Sequence, residues 1–156
     1  MEYLNLTSNY IEEINHLEEF INLNYLDLKR NRFTRLSISS RLPSLHTLDL
    51  SYNRIASIDN LSLVPGLRTL ILRGNKITKI KNLSKLKNLT DIDLRENKIL
   101  SLNLLAQNLT TSIQTVYLDK NPLENISHLV YFRHFKNLEN LSLLGTPIDA
   151  LITSER

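Results

Sequence analysis

The stretch from residue 45 to residue 61 reads LHTLDLSYNRIASIDNL, and it is one of seven similar repeats in the chain. Aligning the copies places an asparagine at the same point in six of them and a threonine in the seventh. The aligned residues are Asn9, Asn31, Asn53, Asn75, Asn97, Asn121 and Thr146. The successive spacings are 22, 22, 22, 22, 24 and 25 residues. Self-similarity at a nearly fixed period of this length predicts a solenoid in which every repeat forms one coil.

Apolar residues alternate with other residues just before each aligned asparagine. In LRTLIL, which ends at Leu72, the apolar residues Leu70 and Leu72 follow a period of two, so we predict a short β-strand with one inward face. One strand per coil must then stack in parallel on the strand of the next coil. A later apolar pair, such as Ile55 and Ile58, returns the outer segment to the core.

The turn that follows each strand explains the asparagines. A buried turn leaves backbone N–H and C=O groups without partners unless a side chain supplies them. An amide side chain can donate and accept at once, so we predict a structural asparagine ladder. Its members are Asn9, Asn31, Asn53, Asn75, Asn97 and Asn121. Thr146 takes the seventh position, where the array ends and atypical residues are expected.

With these leucines and asparagines, the chain resembles leucine-rich repeat proteins of the short intracellular class, whose repeats have about 22 residues. Similar domains occur in a regulatory subunit of protein phosphatase one, a spliceosomal ribonucleoprotein, an axonemal dynein light chain and centrosomal proteins. The resemblance covers essentially the whole chain. It implies an α/β solenoid: a curved, right-handed superhelix of about seven repeats with a parallel β-sheet on the concave side. It also implies a binding module rather than an enzyme.

The length of 156 residues and the hydrophobic content of 42% suit a single repeat domain over residues 1–156. The predicted repeats lie near residues 1–22, 23–44, 45–66, 67–88, 89–112, 113–137 and 138–156, the last two forming the C-terminal end. In the sixth repeat, Leu129, Phe132, Phe135 and Leu138 fall at helical spacing. We therefore predict an amphipathic helix over residues 127–137 that packs on the final coils.

The first repeat raises a separate question, because Met1 already stands at its first leucine position. The strand near Tyr3 is then an edge strand with no coil before it, and solenoids normally protect such an edge. Three interpretations stay open: the chain is a fragment of a larger protein, another element covers the edge, or the first repeat frays.

Residues between the leucines point to the concave surface because side chains alternate along a strand. Tyrosine and arginine are the residue types that dominate interface energies, so we predict a protein-binding face here. The candidate residues are Tyr3, Tyr25, Asp27, Lys29, Asp49, Tyr52, Arg73, Asp91, Asp93, Arg95 and Tyr117. The alternative is that Asp27 with Lys29, and Asp93 with Arg95 or Arg73, form only surface ion pairs, which stabilise by about 0 to 1 kcal/mol.

Charge is distributed unevenly along the array. Residues 1–22 contain five glutamates and no lysine or arginine, whereas residues 67–88 contain seven basic residues and no acidic one. The candidate basic patch consists of Lys76, Lys79, Lys81, Lys85 and Lys87. It is either a solvated outer face or a contact for an acidic partner such as nucleic acid, a tubulin tail or a phosphoinositide head group. The absence of aromatic residues from this repeat weakens a direct single-stranded RNA site.

Catalytic, metal and redox chemistry find little support in the sequence. There is no cysteine, which excludes disulfides, thiol nucleophiles and cysteine-based zinc sites and fits a reducing compartment. The four histidines show no zinc-type spacing, and no nucleophile elbow or Gly-rich phosphate loop occurs. We therefore predict no enzyme activity, no cofactor and no metal. The N-terminal residues show neither a signal peptide nor a membrane anchor, so we expect an intracellular protein in the cytoplasm, the nucleus or the cytoskeleton, including the centrosome.

The function predicted from these features is that of a non-catalytic adaptor that binds another protein on its concave sheet. We expect a monomer unless the N-terminal edge strand pairs with another chain. Two alternatives stay open. One is a ribonucleoprotein-associated protein whose basic fourth repeat lies near nucleic acid, the contact being indirect through a partner protein, and the other is a regulatory subunit of a protein phosphatase.

Overall fold

Each coil of the computed structural model, which describes residues 1–59 and 61–154, starts with a short strand whose middle residue is apolar. Together with two outer strands of two residues each, β3 and β5, the strands of the described residues are β1 (Tyr3–Asn5), β2 (Tyr25–Asp27), β3 (Arg35–Leu36), β4 (Thr47–Asp49), β5 (Ser57–Ile58), β6 (Thr69–Ile71), β7 (Asp91–Asp93), β8 (Thr115–Tyr117) and β9 (Asn140–Ser142). Seven of them form one parallel sheet in the order β1, β2, β4, β6, β7, β8, β9. The predicted curved α/β solenoid with a parallel sheet on its concave side is confirmed.

The register of this sheet follows the alignment of the repeats. Leu26 pairs with Leu48, and Leu48 pairs with Leu70, so the middle residues of the strands stack in one row. These three leucines are fully buried, and they belong to one hydrophobic cluster that runs along the solenoid. Because each middle leucine touches the one before and the one after it, burial in one coil depends on the neighbouring coils.

Outside the concave sheet, the coils carry short and varied elements. The strands β3 and β5 form a second, two-stranded parallel sheet. Helix α1 (Leu102–Asn108) lies in the fifth repeat, where Ser101 caps it by accepting a hydrogen bond from the Asn103 N–H. The two extra residues between Asn97 and Asn121 give this repeat the room for a helix. Helix α2 (Pro147–Ser154) closes the described part of the chain.

The helix predicted over residues 127–137 is present, but with different bounds. It is a 3₁₀ helix over Ile126–His134. Ile126, Leu129, Phe132 and Phe135 are three residues apart, which matches the 3.0 residues per turn of a 3₁₀ helix. Phe132 and Phe135 are buried, with their ring centroids 5.8 Å apart.

Five of the six aligned asparagines, from Asn31 to Asn121, lie in buried turns and connect consecutive coils. The Nδ2 group of Asn53 donates to Leu50 O and to Leu28 O of the preceding coil, both at 3.0 Å. Its Oδ1 accepts from the Phe33 N–H at 3.1 Å. The same two-way pattern is found at Asn31, Asn75, Asn97 and Asn121.

The two ends of this asparagine series differ from its middle. Asn9 is exposed and donates only within its own coil, to Leu6 O and Thr7 O. The Thr146 hydroxyl donates to Leu143 O at 2.7 Å and accepts from the Asp149 N–H at 3.2 Å, which places it at the start of α2. Among the described residues, no helix is long and apolar enough to cross a membrane.

Candidate protein-binding face

The concave face consists of the two outer residues of each strand in the seven-stranded sheet together with the residues that directly follow the strand. The first residues of the strands form one column in register, and the last residues form a second. The first column is Tyr3, Tyr25, Thr47, Thr69, Asp91, Thr115 and Asn140. The second is Asn5, Asp27, Asp49, Ile71, Asp93, Tyr117 and Ser142. The sheet therefore brings all the candidate strand residues onto one surface.

The N-terminal part of the concave face combines tyrosines with carboxylates. The rings of Tyr3 and Tyr25 lie 5.0 Å apart at an angle of 44°. Burial raises the pKa of Tyr25 above its usual value, and the charges of Asp49 and Asp27 raise it further. Each of these aspartates uses Oδ1 to accept the backbone N–H two residues later in the chain. Neither lies within ion-pair distance of a cationic group in the described part of the chain.

The central rim of the face is built around Tyr52. Its ring lies 5.7 Å from Lys29 Nζ, 5.4 Å from the Arg30 guanidinium carbon and 5.7 Å from that of Arg73. Tyr52 has a φ of 55°, and so belongs to the row of left-handed residues that precede the ladder positions. Gly74 follows it in this row, and a Cβ there would lie only 2.5 Å from the Tyr52 ring. Because Gly74 has no Cβ, it leaves room for the Tyr52 ring, which lies close to three cationic side chains.

The C-terminal part of the face is dominated by paired charges. Arg95 Nη2 contacts Asp93 Oδ2 at 2.5 Å, and this hydrogen bond raises the pKa of Arg95 above its usual value. The same guanidinium carbon lies 5.0 Å from the centre of the Tyr117 ring. Of the two ion pairs considered from the sequence, the Asp93–Arg95 pair is present, whereas Lys29 turns toward Tyr52 rather than Asp27.

Arg73 pairs with Glu96, a residue outside the set predicted for the binding face. Its Nη2 lies 2.5 Å from Glu96 Oε1, a hydrogen bond that raises the pKa of Arg73. Lys120 Nζ lies 3.8 Å from the same oxygen. These charged side chains line a cleft of about 410 Å³ together with Tyr117 and the two-thirds exposed Leu144. Glu96 directly precedes the ladder residue Asn97, just as Tyr52 precedes Asn53. This shared position is the sequence signal that could have identified Glu96 as a residue of the face.

The basic patch lies apart from the concave face. Its five lysines are exposed, and none lies within ion-pair distance of a carboxylate among the described residues; they are Lys76, Lys79, Lys81, Lys85 and Lys87. Lys79 and Lys81 line a small outer groove beside β5, away from the seven-stranded sheet. Within residues 1–59 and 61–154, no group of three or more His, Asp or Glu side chains is arranged to hold a metal ion.

Comparisons with known proteins agree with the repeat architecture of the chain. The sequence model of the family Leucine Rich repeats (2 copies) matches residues 21–63 and 65–107, which together make up more than half of the chain. A search of curated proteins found no match. A search of solved structures found 184 matching chains.

Three solved structures illustrate the structural likeness. Internalin C2 from Listeria monocytogenes str. 4b F2365 is 24% identical, with a TM-score of 0.60 over 94% of this chain and 72% of that chain. The internalin inlF from the same strain is 21% identical, with a TM-score of 0.64 over 94% of this chain and 48% of that one. TLR13, in its complex with ssRNA13, is 25% identical, with a TM-score of 0.73 over 92% of this chain and 20% of that one. The chain thus spans about half of inlF and a fifth of TLR13.

Proposed function

Because the chain belongs to the leucine-rich repeat family, we propose that it is a single non-catalytic repeat domain, with the seven repeats bounded as the sequence predicts, that binds a partner protein on its concave face. The observation that carries this proposal is the surface of the seven-stranded sheet, where outward columns present tyrosines and charged groups in one register. Proteins of this family generally bind other molecules. The lack of cysteine supports an intracellular adaptor.

The chemistry of the face suits protein recognition. Tyr3 and Tyr117 keep large exposed fractions, 53% and 37%, in the middle of polar surroundings. Rigid aromatic side chains of this kind supply binding energy at a low cost in conformational entropy. Arg95 and Arg73 are held in place by carboxylates, so they present ordered donors to a partner.

A second candidate function rests on the basic patch. Five exposed lysines without carboxylate partners can attract an acidic surface, and nucleic acid is the alternative that the sequence left open. TLR13, one of the structural neighbours, was solved in a complex with ssRNA13, but most of that protein lies outside the matched part. The phosphatase-regulatory alternative requires a larger acidic and aromatic footprint than Asp27, Asp49 and Asp91 with their neighbouring tyrosines provide.

The test compares two matched triple variants in affinity capture from a cell lysate, with mass spectrometry as the readout. The first replaces Tyr25, Tyr117 and Arg95 with alanine on the concave face. The second replaces Lys79, Lys81 and Lys85 with alanine on the outer side. The lysine variant should unfold within about 1 kcal/mol of the wild type, because its replaced groups are exposed. The concave variant should be less stable than that, because Arg95→Ala removes the cation that pairs with the buried Asp93 carboxylate, so its folding is checked by a thermal melt before capture.

The proposal predicts that only the concave variant loses its main protein partner, with or without nuclease treatment. Retention of that partner by the concave variant contradicts the assignment of the face. Loss of partners in the lysine variant alone, together with loss after nuclease treatment of the wild type, would favour the ribonucleoprotein alternative.

A further inference from the structure

Three cationic side chains surround a single aromatic ring on the rim of the concave face. The centre of the Tyr52 ring lies 5.7 Å from Lys29 Nζ, 5.4 Å from the Arg30 guanidinium carbon and 5.7 Å from that of Arg73. These four residues form the rim cluster. They come from three successive coils, since they follow the strands β2, β4 and β6. Like charges repel one another, so this gathering of cations favours a bound negative group.

Two of the three cations have free hydrogen-bond donors. Arg73 Nη2 contacts Glu96 Oε1 at 2.5 Å, so a carboxylate already balances part of its charge. Among the described residues, no carboxylate lies within ion-pair distance of Lys29 or Arg30. Lys29 lies two residues after Asp27, yet its side chain turns to the Tyr52 ring. The donors of Lys29 and Arg30 are therefore available to a group on another molecule.

The aromatic ring of the rim cluster is fixed in place. A Cβ at Gly74 would lie 2.5 Å from Tyr52 Cδ1, so the ring lies directly over this glycine. Both residues have left-handed backbones, with φ of 55° at Tyr52 and 69° at Gly74. A ring held in this way orders the cations beside it through cation–π contacts. Ordered side chains lose less conformational entropy when they bind a partner.

The rim cluster is complete within the inner part of the solenoid. The strands β2, β4 and β6 lie side by side, with β1 before them and β7 after them in the sheet. The unpaired donors therefore do not arise from a missing neighbouring coil. An additional coil at either end of the array would leave the cluster as it is.

Neighbouring carboxylates decide between two kinds of acidic partner. Asp27 and Asp49 lie beside the rim cluster, where they accept the N–H groups of Lys29 at 3.0 Å and of Ser51 at 2.8 Å. Neither aspartate pairs with a cation in the part of the chain that the structure describes. A nucleic acid carries a charge on every phosphate, so its backbone would meet these carboxylates as well as the cations. A peptide can place its acidic residues over the cations alone.

We infer that the rim cluster binds a short acidic segment of the partner protein, whose carboxylates contact Lys29 and Arg30. This assignment rests on the proposed function, since it names the chemistry of the partner that binds the concave face. Ammonium and guanidinium groups form charge-assisted hydrogen bonds with carboxylates, which are stronger than bonds between neutral groups. Because the rim is open to solvent, the contact should weaken as salt is added.

A direct binding experiment tests this site. The probe is the peptide Ser-Glu-Glu-Asp-Glu-Glu-Ser, labelled for fluorescence polarisation at low salt, and its matched control carries glutamine and asparagine in place of the acidic residues. The acidic peptide should bind at least about tenfold more tightly, since only it forms charge-assisted bonds. In an NMR titration with this peptide, the amide signals of Arg30, Tyr52 and Gly74 should shift, whereas those of Lys79 and Lys81 should not.

Two double variants with the same change in charge separate the rim cluster from a general effect of charge. Lys29→Gln with Arg30→Gln should weaken binding of the acidic peptide by about tenfold. Lys79→Gln with Lys81→Gln, on the outer side, should keep it within about twofold of the wild type. Tyr52→Leu should weaken it by about threefold, whereas Tyr52→Phe, which keeps the ring, should not. Thermal melts of all four variants check that each is folded.

Three results would overturn the assignment. Equal affinity for the acidic and the neutral peptide would show no preference for carboxylates. Equal affinity of the two double variants for the acidic peptide would place its binding elsewhere. Tighter binding of a short single-stranded oligothymidylate, lost on replacement of Lys29 and Arg30, would make nucleic acid the occupant instead.

The proposed function can fail or stand apart from this site. The triple variant at Tyr25, Tyr117 and Arg95 leaves the rim cluster intact, so it should bind the acidic peptide as the wild type does. If the wild type does not bind the peptide but the triple variant still loses its main partner in affinity capture, only the rim assignment is wrong. If the triple variant keeps that partner, the proposed function is wrong.

Discussion

The first and fourth coils carry the same framework residues but differ in their neighbours. Leu70 in the fourth coil is fully buried, whereas the equivalent Leu4 is half-buried. Asn75 connects its own coil to the preceding one through both ends of its amide, whereas Asn9 bonds only within its own coil. A framework residue therefore stabilises the solenoid only as far as adjacent coils supply its partners.

The variable residues of the first and fourth coils differ in charge. The first coil is acidic and the fourth is basic, although both are built on one pattern of leucines. Because the framework positions are filled alike, the difference in charge falls on surface side chains. Stability therefore depends on the position of a coil in the array, whereas the proposed recognition depends on its variable residues.

The largest effect should come from the core. Leu70→Ala removes a fully buried side chain between two coils and should destabilise the protein by about 2 to 5 kcal/mol. Leu4→Ala, at the half-buried equivalent, should cost about 1 kcal/mol or less. Urea unfolding of the two variants measures the difference. Equal costs would mean that the first coil is packed as tightly as the fourth.

The asparagine ladder should show the same contrast at a smaller scale. Asn75→Ala leaves the Ile55 N–H and two carbonyls without their partner and should cost about 1 to 3 kcal/mol. Asn9→Ala, at an exposed site, should stay within about 0.5 kcal/mol of the wild type. The same unfolding assay compares them, and a cost of Asn9→Ala that matched the Asn75 variant would contradict the two-coil role of the ladder.

The carboxylate at the C-terminal end offers a third comparison. Asp149→Ala removes the acceptor of the Gly145 N–H and should cost about 0.5 to 1.5 kcal/mol. Asp149→Asn keeps an acceptor oxygen and should cost less. Hydrogen exchange at the Gly145 amide reports the loss directly. Unchanged protection in the alanine variant would show that α2 does not hold this edge.

The smallest effect concerns Glu18 in the acidic first coil. Hydrogen bonds from its own backbone N–H, and then from Ser40, lower the pKa of Glu18 below its usual value of 4.5. The folded state therefore favours the carboxylate, and its contribution to stability is present above pH 4.5 and is lost as the pH falls through the lowered pKa. Ser40→Ala should raise this pKa, as measured by an NMR titration of the Glu18 carboxyl group. An unchanged titration would exclude the Ser40 contact as a cause.

Much of the fold could be predicted because one period controls many residues at once. Aligning the asparagines also aligned the strands, so the pairing of Tyr3 with Tyr25 and of Asp27 with Asp49 followed from spacing alone. The two-way bonding of a ladder residue such as Asn53 followed from the chemistry of an amide in a buried turn.

The outer elements were harder to predict because they do not follow the period. The spacing shows two extra residues between Asn97 and Asn121, but it does not indicate that this repeat contains helix α1. Thr146, Pro147 and Asp149 form a helix start of a familiar kind, which the interpretation of Thr146 as a mere array end overlooked. The type of the helix near residues 127–137 could not be predicted, because apolar residues three apart fit both an α-helix and a 3₁₀ helix.

The candidate site was predictable in position and less so in contacts. Spacing placed Arg73, Arg95 and Tyr117 on one surface. It could not show that Arg73 pairs with Glu96, because the direction of a rim side chain depends on a left-handed backbone position that the pattern of apolar residues does not reveal.

Native-state hydrogen exchange at equivalent amides measures how far the stability of a coil depends on its neighbours. The N–H groups of Ser8, Arg30 and Gly74 each donate to the next coil at 2.9 Å, so their hydrogen bonds are alike and only their neighbours differ. Protection, corrected for intrinsic exchange rates, should rise from Ser8 through Arg30 to Gly74 by a total of about a hundredfold or more. Equal protection at the three amides would contradict this prediction, since stability would then not depend on neighbouring coils.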